Sequence, residues 1–330
     1  MRRVRRQLSY DVGNGVLIET AEFLMHIGQG GRTITVDADE QHQALAALWL
    51  LGAGLSTSAF FRGELPLRGA AVQLDGQMVG ILGPSGAGKS TLVWALLQGG
   101  ALFGNDGLLP LRFEDSHEGW QESRQEGESK GAQVTAIPAI SLHPRLPRAT
   151  MRRRRLALKQ YDPVLARRSA SGVSGPASGP DEFWLPIEPL RHATEPAQLA
   201  ALFVLRPGTT ADASNAWADA APDIPPDVSP DVSPFVRPLS QEAANLLVQS
   251  SVAGWSFVRK QVSEAQLASR CLALARCVPA YAIEYPKTFG MTTKVAQAIR
   301  RTLSAHPPLA HPPLAHRDAR ESPSGALGRG

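Results

Sequence analysis

One nine-residue string constrains this 330-residue chain more than any other: Gly83-Pro84-Ser85-Gly86-Ala87-Gly88-Lys89-Ser90-Thr91. It satisfies G-x-x-x-x-G-K-[ST] in full, and its surroundings have the form such a loop needs. Before it, residues 70–74 and 77–82 flank Asp75-Gly76, the pair that a tight type I′ turn favours, so they read as a hairpin. After it, Leu92, Trp94-Ala95 and Leu96 have helical spacing, and Gly99-Gly100 stops the helix. Between strand and helix, glycines 83, 86 and 88 let the backbone curl until successive N–H groups point at one centre. The helix N-terminus adds its partial positive charge there, so the loop suits the phosphates of a nucleotide. The binding set is then Gly83, Ser85, Gly86, Ala87, Gly88, Lys89, Ser90 and Thr91. Lys89 reaches the β- and γ-phosphates, and the Ser90 hydroxyl ligates Mg²⁺. Thr91 packs or caps at the helix start, with an adenine-side contact as the alternative.

Phosphate-binding loops serve switches, motors, transporters and kinases alike, so the rest of the site must separate them. The chain has no apolar strand ending in Asp-Glu, no Leu-Ser-Gly-Gly and no Asn-Lys-x-Asp. It does have Asp106, 16 residues past Ser90, after the apolar strand 101–103 and within Gly104-Asn105-Asp106-Gly107. A carboxylate there can ligate Mg²⁺ or take a proton from an incoming hydroxyl.

That compact arrangement resembles the HPr kinase/phosphorylase family, and more closely the HPr-kinase-related proteins found beside bacterial lasso-peptide and similar peptide-modification genes. The resemblance runs from about residue 65 to 148, more weakly through 199–206 and 278–288. It rests on Leu65-Pro66-Leu67-Arg68-Gly69-Ala70-Ala71, on the loop 83–91, and on Gly100-Ala101-Leu102-Phe103-Gly104-Asn105-Asp106. Ile137-Pro138 and His143-Pro144-Arg145-Leu146-Pro147 complete it. It implies an α/β fold whose P-loop core is shared with phosphoenolpyruvate carboxykinases. It also implies ATP with Mg²⁺, and phosphoryl transfer to a Ser hydroxyl of a small protein or ribosomal precursor peptide. On this likeness Lys89 and Asp106 are the catalytic pair, Ser90 and Asp106 hold the metal, and self-association follows, hexamers being the family's assembly.

The chain departs from the family pattern at three points. The usual Asp-Asp after the strand is Asn105-Asp106, which leaves Asp106 to act alone. The Arg-Gly-Leu-Gly signature of true HPr kinases is missing, and with it the case for HPr as acceptor and for the reverse phosphorylase reaction. A His common before the hairpin is Arg68. Arg145 and Arg148 are candidates for steadying the phosphoryl group or the acceptor, since guanidinium matches phosphate geometry; solvated loop arginines are the alternative.

Composition sets the remaining bounds. At 43% hydrophobic and 19% charged the chain can build a core. A net charge of +4 gives no argument for nucleic acid, although only six of the 34 basic residues are lysine. The strongest basic cluster, residues 152–155 with Arg148, Lys159, Arg167 and Arg168, reads as a solvated arm or as a dock for an acidic peptide. The acidic stretch 114–128 reads as a loop, with Glu114 and Asp115 as weak Mg²⁺ candidates, and His143 as a loop hydrogen-bonder. Cys271 and Cys277 lack ligand spacing and read as two buried thiols. The apolar run 44–55 falls short of a bilayer span and the basic start leads into no apolar core of a signal, which points to a cytoplasmic protein with no membrane partner.

The expected organisation is a small α/β lead-in over 1–66 and a kinase core over 67–206 with a flexible insert at 169–180. A Pro/Asp/Ala-rich linker follows over 207–239, then a part at 240–303 that completes the core, and a disordered tail over 304–330. In that fourth segment Ser263 with Gln266 forms a capping-box pattern, 280–285 alternates like a strand, and Val295, Ile299 and Leu303 mark a last helix. Residues 199–205 form a continuous apolar run of buried-strand length.

Overall fold

The computed structural model describes residues 8–113, 133–138, 144–153, 182–185, 188, 191–208, 233–286 and 290–306. The acidic stretch 114–128, His143, the insert at 169–180 and the tail beyond 306 lie outside them, as do Lys159, Arg167 and Arg168.

The chain opens with a four-stranded antiparallel meander: β1 (Leu8–Asp11), β2 (Gly15–Glu19), β3 (Phe23–Gly28) and β4 (Ile34–Ala38). Its strands alternate, so Val16, Ile18, Phe23, Met25 and Ile27 are buried on one face. A helical segment covers that face: α1 (Gln43–Trp49), a π-turn at Leu50–Gly54, and α2 (Leu55–Phe61). Gly52 and Gly54 read as punctuation in the sequence, yet the helix runs through them. A Cβ on Gly54 would come within 3.0 Å of Met25 Sδ, so glycine is what lets the helix lie close on the sheet. By length and composition the helical stretch Glu40–Phe61 suffices to cross a membrane. Here Ser56–Phe60 are buried, Trp49 meets Phe23 edge-on at 5.6 Å, and Phe60 packs with Val258 and Val262.

The main sheet follows. Its strands are β5 (Leu65–Leu67), β6 (Ala70–Leu74), β7 (Gln77–Leu82), β8 (Leu102–Asp106), β9 (Leu109–Phe113) and β10 (Val134–Ala136), with helix α3 (Lys89–Gln98) between β7 and β8. A small ribbon of β11 (Arg145–Pro147), α4 (Arg148–Arg153) and β12 (Glu182–Trp184) precedes the long β13 (Ala197–Gly208). The chain then supplies β14 (Phe235–Pro238), α5 (Gln241–Ser251), α6 (Trp255–Val258), α7 (Glu264–Cys277), β15 (Ala280–Pro286) and α8 (Met291–Ala305). Strand order is β5-β9-β10-β13-β7-β6-β8, with β15 also paired to β13 and β14 to β15. The outcome is a mixed α/β fold in which β7, β13 and β15 run parallel.

Local chemistry explains these boundaries. Asp75 (φ 49°) and Gly76 (φ 81°) both sit left-handed, as a type I′ turn requires, and join β6 to β7. Helix α3 ends in a Schellman motif: Gly100 at φ 92° donates to Leu97 O, and Ala101 to Leu96 O. Ser263 and Gln266 form the reciprocal capping box at the start of α7. The strand expected at 101–103 continues to Asp106, because a register shift against β6 carries the chain past Gly104. A side chain there would strike Met78 Cε and the Ala71 carbonyl. The Pro-rich stretch is likewise shorter than its composition suggests: Pro207 and Gly208 finish β13, and Phe235–Pro238 pair with β15 at the sheet's edge.

Two apolar layers cover the central strands. Leu92, Val93, Leu96 and Leu97 of α3 pack with Val295 and Ile299 of α8 against one face. Ala244 and Val248 of α5 and Cys271 and Leu274 of α7 lie on the other, with β5, β9 and β10. Cys271 is buried as expected, whereas Cys277 is half-buried.

Candidate functional site

The carboxyl ends of β7, β13 and β15 share one edge of the sheet, where ligands of open α/β sheets bind. The loop 83–88 leaves β7 at this edge. Gly83 (φ 136°), Gly86 (φ 78°) and Gly88 (φ 93°) all take positive φ, and Ala87 N donates to Pro84 O at 3.2 Å, closing a tight turn. A Cβ on Gly83 would stand 3.0 Å from the Leu205 carbonyl of β13, so the loop starts in close contact with the neighbouring strand. Gly86, by contrast, faces open space. Gly88 is the N-cap of α3, and its left-handed turn aims the first amides of that helix, which have no acceptor within the helix, out of the sheet edge. Ser85 is exposed, Ala87 is buried, and Ser90 and Thr91 are half-buried on the first turn.

Lys89 folds back over this loop. Its Nζ donates to the Gly83 carbonyl at 2.8 Å and to the Pro84 carbonyl at 2.9 Å. The ammonium is thereby held at the loop's centre by main-chain oxygens, a placement set by the same turn that opens the amides.

A residue from the far end of the chain secures the turn. The Tyr285 hydroxyl, on β15, donates to the Ala87 carbonyl at 2.6 Å. Burial pushes the Tyr285 phenol up to about 12, so it stays protonated and a donor. Nothing in the local sequence marks Tyr285. It is the last-but-one residue of an alternating strand, and only the parallel pairing of β15 with β13 brings it beneath the loop.

Asp106 is the last residue of β8 and 5% exposed. Its register partner is Ala70, which pairs in turn with Ile81, two residues before the loop. Asp106 therefore stands two strands from β7 at the same sheet edge, about 10 Å away by strand spacing. Asn105, fully buried beside it, points to the opposite face, where its Nδ2 donates to the Ile137 carbonyl at 3.0 Å. Alternation then sends Asp106 toward the α3 face, to which its partner Ala70 contributes. The Asn105 side chain ties β8 to the segment after β10.

Arg145 lies in β11 opposite Trp184, and Arg148 opens α4 with its guanidinium over the Phe183 ring at 5.8 Å. This ribbon docks on the outer side of α3 through Trp94, which packs with Leu146, Met151, Phe183 and Leu185. Arg148 is thus engaged with an aromatic face on the ribbon itself.

Three further charged residues that carried no sequence signal sit at the parallel edge. Glu284 accepts from Arg237 Nε at 3.1 Å, and Arg206 Nη1 stands 3.9 Å from the same Glu284 Oε1. Among the described residues no group of three or more His, Cys, Asp or Glu side chains is arranged to hold a metal ion.

No family model and no curated protein sequence matches the chain. Among solved structures it is similar to the HPr(Ser) kinase/phosphatase from Coxiella burnetii, at a TM-score of 0.31 and 11% identity, over 73% of this chain and 97% of that one. The chemistry of the site is accordingly read from its own residues.

Proposed function

We propose that this chain is an ATP- and Mg²⁺-dependent kinase of the HPr-kinase-like type, moving the γ-phosphoryl group to a Ser hydroxyl of a small protein or a ribosomal precursor peptide. One observation carries the reading: a strand–loop–helix turn with three left-handed glycines holds a lysine ammonium at its centre, and a nearly buried carboxylate ends a strand at the same edge. The donor set fits a polyphosphate, because main-chain amides and one ammonium are gathered with no acidic side chain on the loop.

Mg·ATP supplies the transferable phosphoryl group. Lys89 and the amides of the loop hold its phosphates, and Ser90 offers its hydroxyl to the metal. Asp106 either completes the metal's ligands or takes the proton from the acceptor hydroxyl as its oxygen bonds to the γ-phosphorus. In the second role the bond to the β,γ-bridging oxygen breaks, ADP leaves, and the proton ends on the Asp106 carboxylate. The lasso-peptide setting and self-association belong to this proposal through the sequence resemblance alone.

A second reading has a specific observation in its favour. Asn105 spends its amide on the Ile137 carbonyl, so one carboxylate stands where the related kinases have two. ATP occupancy would then organise a partner-binding surface without transfer, and a small-molecule acceptor is the remaining variant of the kinase reading. Incubation with γ-labelled ATP and Ser-bearing peptides distinguishes these. Label on the peptide that is lost in Asp106→Asn supports the kinase, whereas tight ATP binding with no labelled acceptor supports the module.

A further inference from the structure

Four side chains stand at the carboxyl edge of the parallel strands, outside the loop 83–91. In register, Arg206 of β13 pairs with Glu284 of β15, and Glu284 with Phe235 of β14. Arg237 is two residues along β14 from Phe235 and therefore on the same face. That face is the one to which Val204 and Ala282 also contribute, opposite the face of α3. The two guanidinium groups share a single carboxylate, with Arg237 hydrogen-bonded to it and Arg206 beyond hydrogen-bond reach. Both arginine side chains are about one-third exposed, at 31% and 32%, and Phe235 is 61% exposed. Burial lowers the affinity of Arg206 for its proton, and the neighbouring Arg237 charge lowers it further. The row thus carries one uncompensated positive charge, an open aromatic ring, and guanidinium N–H groups oriented by Glu284.

Its position relative to the loop sets what it can serve. Arg206 follows Leu205, whose carbonyl lies against Gly83. Glu284 and Arg237 are further out: β15 is two strands and β14 three strands from β7, while Asp106 on β8 is two strands from β7 on the other side, so Glu284 lies about 19 Å and Arg237 about 24 Å from Asp106 by strand spacing. An extended peptide covers that distance in about six or seven residues.

We infer that Arg206 and Arg237, set by Glu284 and flanked by Phe235, form the docking site for an acidic segment of the phosphoacceptor, with a carboxylate side chain about six or seven residues from the hydroxyl that receives the phosphoryl group. The inference deepens the kinase reading and rests on it for the role of the loop. Charge complementarity names the occupant: bidentate guanidinium–carboxylate pairs are charge-assisted, and an extended acidic strand presents them at the needed spacing.

The experiment uses the full chain and fluorescein-labelled peptides containing Ser-Gly-Gly-Gly-Gly-Gly-Asp-Asp or Ser-Gly-Gly-Gly-Gly-Gly-Asn-Asn, with anisotropy read in the absence of nucleotide. The acidic peptide should bind about tenfold more tightly than the Asn peptide, and the preference should fade as salt rises. In Arg206→Gln/Arg237→Gln the preference should vanish, with melting curves reporting that the variant is folded. Equal binding of the two peptides by the parent chain, or no binding of either, overturns the inference without recourse to any variant. A tenfold loss of Mg·ATP affinity in the double variant also overturns it, because the pair would then serve the nucleotide. Failure of the parent chain to bind Mg·ATP sinks the kinase reading instead, and that is read in a separate titration.

Discussion

Tyr285 donates a 2.6 Å hydrogen bond to the Ala87 carbonyl across 198 residues of sequence, and this one bond couples the last strand of the sheet to the loop at the N-terminus of α3. The loop's curvature depends on glycines, but its position over the parallel edge depends on this contact from below. Tyr285→Phe keeps the ring and removes the donor. Loss of one net hydrogen bond costs about 1 kcal/mol of stability. Because the lost bond fixes the loop, Mg·ATP affinity should drop about fivefold, in line with that energy. Calorimetric titration of the variant beside its thermal melt checks both, and an unchanged affinity would assign Tyr285 to packing alone.

Three glycines of the loop should respond unequally to alanine. Gly83 combines positive φ with a tight neighbour, the Leu205 carbonyl at 3.0 Å, whereas Gly88 has positive φ with only an ordinary contact to the Tyr285 hydroxyl at 3.9 Å, and Gly86 has positive φ and nothing within 4 Å. Gly86→Ala then carries only the left-handed penalty of about 1 kcal/mol. Gly83→Ala should lose about 2–3 kcal/mol, since the loop must also move off β13. Denaturant melts of the two variants give the order, and equal losses would contradict it.

Placing a second carboxylate beside Asp106 should fail here. Asn105 is fully buried and donates to Ile137 O. Asn105→Asp replaces that donor with an acceptor facing another acceptor, in a site with no water exposure. A loss of about 2–4 kcal/mol is expected, together with no gain in phosphotransfer. Chemical denaturation and a transfer assay on the same preparation decide it.

Stability should decline at alkaline pH from two buried acids. Burial pushes the Cys271 thiol from 9.0 up to about 12 and the Tyr285 phenol from 10.0 up to about 12. Both folded-state values exceed the unfolded ones, so the unfolded chain releases its protons first as pH rises. The stabilisation is complete below about pH 9 and is withdrawn between there and about pH 12. Cys271→Ala should flatten the first part of this decline, from pH 9 to 10, while Tyr285→Phe affects only the later part. Melting temperatures measured at half-unit steps from pH 8 to 11 report the slopes.

Much of this architecture can be read from the residues, because its cues are local. Asp75-Gly76 specifies a left-handed two-residue turn, Ser263 and Gln266 satisfy each other's orphan amides, and Gly99-Gly100 stops α3, all within a few residues. The loop string 83–91 is local in the same sense. Gly54 misled because the cue for glycine there is long-range: helix and sheet meet at Met25. Tyr285, Arg206, Arg237 and Glu284 were silent for a related reason. Their significance comes from the pairing of β7, β13, β14 and β15, in which β13 meets a strand more than a hundred residues before it and another more than seventy residues after it, and no spacing along the chain encodes that register. Asn105 was legible as a departure from Asp-Asp, but its bond to Ile137 was not.

Titration of the purified chain with Mg·ATP, parent beside Lys89→Ala, bears most directly on the claim that loop amides and one ammonium gather a nucleotide's phosphates at this sheet edge. Saturable one-site binding should appear in the parent and weaken at least tenfold in the variant, as loss of a charge-assisted phosphate contact predicts, while the nucleotide-free melting curves stay close. Heat of dilution alone in the parent, or equal affinity in both, would contradict the account.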